Sequence, residues 1–119
     1  MNFTENQYLK KAQKFEESLG IKYDSDKPRF DLFPADALEE VAKVYTVGAK
    51  KYGDRNWELG MSYGRLFGSL LRHVYAWWRG ERDDKESKLH HLTSVVFNAL
   101  ALLHYELNSE KFKKFDDRK

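Results

Sequence analysis

The stretch Arg65–Asn98 carries apolar residues at helical spacing on both sides of a charged turn, and it constrains the fold more than any other feature. Apolar side chains recur there every three or four residues, as on one face of an amphipathic helix. Gly80 separates the two periodic segments, and the turn Arg82–Lys85 follows it. The stretch therefore predicts two consecutive helices that pack on each other.

The rest of the chain extends this helical pattern. A helix is predicted over Thr4–Leu19, and another begins near Pro34 and ends at Gly53. The segment Ile21–Pro34 holds both prolines and several aspartates, so it is predicted to be irregular. No segment alternates apolar and polar residues as a strand does. The fold class predicted is an all-α, four-helix bundle.

One domain is expected from a length of 119 residues. Its predicted parts are an N-terminal helix over 1–20, a helical core over 21–107 and a charged tail over 108–119. The tail is rich in lysine and aspartate and is expected to be frayed. Ser62 and Ser87 are predicted to cap the two central helices.

Two apolar stripes are predicted to form the core between the central helices. The first consists of Leu66, Phe67, Leu70, Leu71, Val74, Trp77 and Trp78, and the second of Leu92, Val95, Val96, Ala99, Leu100, Leu102 and Leu103.

Composition excludes several classes of function. The 21 basic and 19 acidic residues nearly cancel, which gives no basis for binding a nucleic-acid polymer or a membrane surface. The absence of cysteine excludes disulfides, thiolate catalysis and cysteine-ligated metals. No apolar run approaches the length of about 20 residues that a membrane helix needs, and the first residues lack the apolar segment of a secretory signal. A soluble, cytoplasmic protein is expected.

Polar residues interrupt the central stripes where chemistry could occur. The turn after Gly80 holds a run of carboxylates, and Glu39 and Glu40 lie on the preceding helix. Mg²⁺ binds such oxygen ligands, but a solvated acidic run has the same composition. His73 and His91 lie on consecutive helices whose ends meet at this turn, and Asn98 follows His91 at i+7. They could share one site or be separate core histidines.

Two further groups of residues could bind a ligand. Lys27 and Arg29 flank Pro28 in the irregular segment, and either a phosphate or solvent could face them. Trp57 follows Asn56 in a loop and could stack on a nucleobase, whereas Trp77 and Trp78 are interpreted as core residues.

Several motifs in order resemble one known family. They are KYDSDKPRFDLFP, GAKKYGDRNWELG, LLRHVYAWWRGE and the spaced ES, HL, N and LL that end at Leu103. Together they are similar to the phage dATP/dGTP diphosphohydrolases, a small all-α family related to MazG-like nucleotide pyrophosphohydrolases. The similarity runs from Lys22 to Leu107. Where MazG-like enzymes carry ExxE and ExxD motifs, this chain has His73 on one helix and His91 with Ser94 on the next.

The resemblance implies hydrolysis of a purine deoxynucleoside triphosphate to monophosphate and pyrophosphate, with Mg²⁺, or Mn²⁺ in its place, as cofactor. It implies a nucleotide as partner and a homo-oligomer as the assembled form. The implied metal ligands are Glu81, Asp84 and Glu40, and the implied catalytic residues are His73, Glu81, His91 and Asn98. The implied substrate-binding residues are Lys27, Arg29, Lys50, Lys51, Asn56 and Trp57.

Two other functions are compatible with the residues. A non-catalytic nucleotide-binding protein that sequesters its ligand would need the basic and aromatic residues but not the carboxylates. A purely structural helical oligomer would need none of these groups for chemistry.

Overall fold

A computed structural model describes residues 19–119, and in this part of the chain the regular structure is helical, without a strand. The predicted all-α class is confirmed. The α-helices are α1 (Ala35–Tyr52), α2 (Tyr63–Trp78), α3 (His91–Leu107) and α4 (Ser109–Phe112). Short 3-10 helices span Phe30–Leu32, Asn56–Leu59 and Lys113–Phe115. The predicted helix Thr4–Leu19 falls almost wholly outside the described residues.

The chain divides into two compact units, residues 1–33 and 34–119. The described part of the first unit is irregular, as predicted, apart from one 3-10 turn. The Lys27 N–H donates to the Asp24 carbonyl over 3.0 Å, and the Arg29 guanidinium binds the Asp31 carboxylate at 2.6 Å. That contact lowers the pKa of Asp31.

Helix α1 begins after Pro34 and ends at Gly53, in agreement with the sequence pattern. Pro34 can precede a helix because the first N–H groups of a helix have no acceptor within it, so the N–H that proline lacks would be unpaired anyway. Gly53 adopts a φ of 97°, a conformation that costs glycine little. On the surface of the helix, Lys43 pairs with Glu40 at 2.6 Å.

Helices α2 and α3 form the main packed pair, and α1 packs against α3. Helix α2 ends at Trp78 with Arg79 as its C-cap, and Gly80 follows at a φ of 100°, as the predicted helix break requires. Helix α3 starts later than expected. His90, not Ser87, is its N-cap, and the His90 ring nitrogen accepts the Leu92 N–H over 3.0 Å.

An apolar core closes one end of this helix pair. Tyr63 and Tyr105 stack with ring centroids 5.7 Å apart, and the Phe112 ring lies 4.5 Å from that of Tyr105. Leu66 and Ala101 complete the cluster. Burying one large side chain contributes about 1.5–3 kcal/mol, so this cluster is a major source of stability.

The expectation of a frayed tail is wrong. Phe112 is only 2% exposed, and Phe115 packs against the same core, so the two aromatic rings hold the charged segment in place. Gly60 accommodates the Phe115 ring: a Cβ at this position would lie 2.1 Å from the ring. The charged tail therefore contains two phenylalanines, Phe112 and Phe115, that pack on the core.

The tail also caps α2. Ser62 occupies the predicted cap position but makes no side-chain cap hydrogen bond. Instead, the Asp117 carboxylate accepts the Gly64 N–H over 2.8 Å. Arg118 binds Glu106 at 2.7 Å and Asp116 at 2.8 Å, which ties the tail to α3.

Much of the predicted apolar core is exposed. Trp78 is 77% exposed and Phe67 55%, so the prediction that the tryptophans and Phe67 are core residues is wrong. On α3 the most buried residues are instead His91, Thr93, Ser94, Asn98, Ala101 and Tyr105. The polar members of this face hydrogen-bond within the protein. The large apolar residues of α3 that are exposed are Leu92, Val96, Leu100, Leu103 and Leu107.

Candidate active site at the helix turn

Two histidines meet where α2 and α3 approach the turn. His73 Nδ1 lies 2.8 Å from His91 Nδ1, and the ring centroids are 5.0 Å apart. Their exposed fractions are 5% and 1%. Helix α2 contributes His73 from its buried face, and the return of the chain after Gly80 places His91 in the first turn of α3. The two imidazoles are therefore in direct contact.

The partners of each ring define a consistent direction for the hydrogen bonds. The Glu81 Oε1 atom lies 3.0 Å from His91 Nε2, and the Arg72 guanidinium lies 3.3 Å from His73 Nε2. A carboxylate accepts and a guanidinium donates. His91 therefore carries its proton on Nε2, and its Nδ1 accepts from His73 Nδ1–H. Both rings are neutral in this arrangement.

The neutral state of His73 agrees with its surroundings. Burial lowers the pKa of His73, and the charge of Arg72 acts in the same direction, while Asp84 opposes both. An imidazole removed from water loses the hydration that stabilises its charged form. His73 is thus favoured as a neutral donor and acceptor at neutral pH.

Asp84 is fixed by the turn that follows it. Its side chain accepts the Ser87 N–H over 3.0 Å, and its backbone N–H donates to the Leu89 carbonyl over 2.8 Å. Lys88 completes the turn at a φ of 66°. Burial alone would raise the pKa of Asp84, but hydrogen bonds from Ser87 and the interactions with both histidines leave that pKa lowered. Asp84 is therefore a preformed carboxylate.

His73, Asp84 and His91 form a group that could hold a metal ion. Each offers one ligand atom, and these atoms all lie within 4.8 Å of one another. This is the one such group found in the described part of the chain. Two imidazoles and a carboxylate are not the oxygen-rich set that Mg²⁺ prefers. The donor atoms of this group therefore do not fit Mg²⁺ as a resident ion.

The other two predicted metal ligands lie outside this group. Glu81 touches it through His91, and its side chain is 37% exposed. Glu40 lies on α1 in an ion pair with Lys43. Glu81 thus contacts His91 and remains partly exposed to solvent.

Asn98 is buried in the interface between α2 and α3. Its amide donates to the Ser94 carbonyl over 2.8 Å and to Ser69 Oγ over 3.3 Å. Ser94 is itself buried. These contacts hold α2 and α3 together near the site.

The predicted substrate residues are distributed over both units. Lys27 and Arg29 belong to the first unit. Lys50 and Lys51 are exposed in the last turn of α1. The contact with Tyr52 and the charge of Glu86 raise the pKa of Lys51, so the end of α1 lies within electrostatic reach of the acidic turn.

Asn56 and Trp57 begin the short helix Asn56–Leu59, and both are half-buried. The Trp57 ring meets His104 edge-on at 5.0 Å, and the Tyr105 hydroxyl donates to the Trp57 carbonyl over 2.6 Å. The ring is therefore anchored by the core and only half-buried.

Sequence reasoning missed Arg72. Its guanidinium contacts His73, and it lies 4.0 Å from the Asp84 carboxylate. The position of Arg72 next to His73 in the sequence could have suggested a role. The direction of its side chain, however, depends on the turn that brings Asp84 back to α2.

A groove of about 600 Å³ lies away from the histidines, between the start of α2, the end of α3 and the tail. None of the predicted site residues lines it. Its lining residues are Tyr63, Gly64, Phe67, Leu102, Leu103, Glu106, Asp117, Arg118 and Lys119.

Residues 17–118 match the family described as dATP/dGTP diphosphohydrolase, N-terminal. The chain belongs to this family. The resemblance seen in the motifs is confirmed, and the matched region contains the histidine pair and the acidic turn.

One curated relative is the dATP/dGTP diphosphohydrolase of Salmonella phage PMBT28. It is 34% identical over 100 residues, which cover 84% of this chain and 33% of the relative. The chain thus spans about a third of the length of that relative. No solved structure matches. Among the described residues, no helix has the length and apolar content needed to cross a membrane.

Proposed function

We propose that this chain hydrolyses dATP and dGTP to the monophosphate and pyrophosphate. The observation that supports this most is the buried pair His73–His91, which holds the partly exposed Glu81 at 3.0 Å in a chain of the diphosphohydrolase family. A carboxylate oriented in this way is suited to accept a proton beside a bound triphosphate.

The proposed reaction is attack of water on the α-phosphorus. The water oxygen forms a bond to this phosphorus, the bond to the oxygen that bridges the α- and β-phosphates breaks, and pyrophosphate leaves with the electron pair. The proton of the water passes to Glu81, whose other oxygen accepts the His91 Nε2–H. Positioning and charge stabilisation are the main contributions that a protein makes to such a transfer.

Cationic groups are proposed to bind the triphosphate. Lys50 and Lys51 are exposed at the end of α1 and suit the β- and γ-phosphates. The role of Lys27 and Arg29 in phosphate binding stays a prediction from the sequence. Asn56 and Trp57 are proposed to contact the base or the sugar.

Mg²⁺ is proposed to enter as part of the nucleotide substrate, with Mn²⁺ able to replace it. Nucleotide-bound Mg²⁺ commonly takes one or two protein carboxylates and completes its shell with phosphate and water. Glu81 is the first candidate because it is the accessible carboxylate at the histidines, and Glu40 is the second. Asp84 instead belongs to the group that it forms with the two imidazoles.

A homo-oligomer is proposed because exposed apolar side chains run along both central helices. Phe67 of α2 and Leu103 of α3 line the same groove, so the two exposed stripes adjoin there. Exposed apolar areas of this kind mark protein interfaces. Multi-angle light scattering should give more than one chain per particle, and Leu103→Lys should lower that mass. A monomeric parent would contradict this proposal.

The proposed setting is the nucleotide pool of an infected cell, since the named relative is a phage protein. Removal of purine deoxynucleoside triphosphates, with supply of the monophosphates, would change the precursors available for DNA synthesis in the host cytoplasm.

The function is tested by incubating the protein with each of the four deoxynucleoside triphosphates and Mg²⁺. Monophosphate and pyrophosphate are expected from dATP and dGTP. Glu81→Gln should lower the rate by at least about 100-fold. Glu110→Gln is the matched control, because Glu110 is exposed and pairs with Lys113 near the C-terminal end.

Folding of each variant is checked by circular dichroism. Turnover at the parental rate in folded Glu81→Gln would overturn the assignment of Glu81. Stoichiometric nucleotide binding without turnover would instead support a sequestering protein, and no binding at all would support a structural role.

A further inference from the structure

We infer that His73, Asp84 and His91 form a resident site for a transition-metal dication of the Zn²⁺ or Co²⁺ class, which binds there in preference to Mg²⁺. This inference deepens the proposed function by naming the ion held by the protein itself, and it rests on that function for its catalytic meaning. The nucleotide's Mg²⁺ is a separate ion that arrives with the substrate.

The two imidazoles are close enough for one ion to bind both of them. Two nitrogen ligands about 2.0–2.1 Å from one tetrahedral ion are separated by roughly 3.3 Å. His73 Nδ1 and His91 Nδ1 are 2.8 Å apart. A separation wider by about half an ångström would therefore place both atoms in neighbouring positions of one coordination shell.

The tautomer of His91 leaves its Nδ1 able to bind an ion. Its Nε2–H donates to Glu81, so the lone pair of Nδ1 points towards His73 and Asp84. Metal-bound histidines usually donate their other ring N–H to a carboxylate in this way, which fixes the ring and strengthens the ligand. Glu81 is therefore a positioning residue for His91 as well as the exposed carboxylate.

The turn between α2 and α3 fixes the third ligand, Asp84. Asp84 is held by the Ser87 N–H through one carboxylate oxygen, Oδ2, and its other oxygen is directed towards Arg72 at 4.0 Å. All three ligand groups are thus oriented by partners outside the site. Side chains held in this way lose little conformational freedom when an ion binds.

Arg72 and His73 must change on binding. An ion on His73 Nδ1 moves the ring proton to Nε2, which now faces the donating guanidinium of Arg72. The Arg72 side chain is 64% exposed and can turn into solvent. No net proton is released, because His73 exchanges one neutral tautomer for the other.

The chemistry of the donors selects the class of ion. Imidazole nitrogen suits Zn²⁺, Co²⁺ and related ions, whereas Mg²⁺ demands a near-octahedral set of oxygens and keeps its waters. Two of the three ligands here are imidazoles. Preference for the transition metal follows from the ligand types, whatever the detailed geometry.

The test is titration of the nucleotide-free, full-length protein, stripped with a chelator, with Co²⁺. One equivalent should bind with a visible absorption band, and Zn²⁺ should displace it at a concentration at least about 100-fold below that of Mg²⁺. Asp84→Asn should weaken Co²⁺ binding at least about 10-fold and still accept the Ser87 N–H. His90→Asn is the matched control, since it removes a neighbouring imidazole but keeps a good N-cap.

Glu81 has its own readout in this titration. Glu81→Gln keeps an oxygen that accepts the His91 N–H, so it should retain more Co²⁺ affinity than Glu81→Ala. Equal loss in both variants would overturn the positioning role. The inference as a whole falls if Co²⁺ does not bind stoichiometrically, if Mg²⁺ displaces it as readily as Zn²⁺ does, or if folded Asp84→Asn binds like His90→Asn.

The two proposals fail separately. Co²⁺ binding without any turnover would leave the metal site standing and refute the proposed hydrolysis. Turnover in a protein that binds no transition metal would do the reverse.

Discussion

The two ends of the α2–α3 pair are equally buried but chemically opposite. At one end, Tyr63, Tyr105 and Phe112 pack ring against ring. At the other end, His73 and His91 are just as inaccessible, yet they contact only polar neighbours through their ring nitrogens. Buried polar groups contribute little net stability when they are paired. The apolar end therefore stabilises the fold, and the polar end can be specialised for chemistry.

Replacement of Phe112 should give the largest effect and fall on stability. Phe112→Ala removes a ring that is 2% exposed and should lower the free energy of unfolding by about 3–5 kcal/mol, measured by urea denaturation. Phe30→Ala, at a position 75% exposed, is the control and should change it little. Similar losses in the two variants would contradict the assignment of the apolar end as the core.

Replacement of His91 should give the converse result. His91→Gln is expected to lower the hydrolysis rate by at least about 100-fold. The free energy of unfolding should fall by only about 1–3 kcal/mol, because His73 and Glu81 lose a partner. His90→Asn should leave the rate nearly unchanged. The contrast between the two ends fails if folded His91→Gln keeps the parental rate.

The cap that the tail supplies to α2 should have a smaller effect. Asp117→Ala removes the acceptor of the Gly64 N–H and should lower the free energy of unfolding by about 0.5–2 kcal/mol. Asp117→Asn keeps an oxygen acceptor and should retain most of that stability. Equal losses would show that charge, not the cap, is what matters. Hydrolysis below the unfolding temperature should be the same in both variants.

Acidification should give the smallest effect, again at the apolar end. The contact with Arg118 lowers the pKa of Asp116 to about 2. Because this pKa is depressed in the folded protein, the stabilising contribution is present above the usual value of 3.8 and is lost as the pH falls towards about 2. Amide exchange of residues 113–117 should accelerate over this window, and by less in Asp116→Asn, where the contact is weakened at every pH.

The C-terminal ends of α1 and α2 and the approach of the two histidines were predictable because they depend on local residues. Gly53 and Gly80 end α1 and α2 as their conformational freedom suggested. His73 and His91 lie on helices joined by a short turn, so their approach followed from chain connectivity.

The direction of the apolar stripes was not predictable in the same way. Periodicity reveals that a helix has an apolar face, but it does not say whether this chain or another surface covers it. Trp78 satisfied the helical spacing and is exposed, whereas the polar Thr93 and Ser94 face the neighbouring helices. The donation from Thr93 to the His90 carbonyl over 2.6 Å makes that burial tolerable, and no spacing rule indicates it.

The cap formed by Asp117 has a consequence for the order of folding. Asp117 lies 53 residues after Gly64, and the contact of Tyr105 with Trp57 spans 48 residues. Contacts between such distant residues require closure of long loops before they are rewarded, which slows their formation. On the ribosome, α2 is complete long before its cap is synthesised. The histidine end, joined by an 18-residue separation, can assemble first, and the aromatic end closes last.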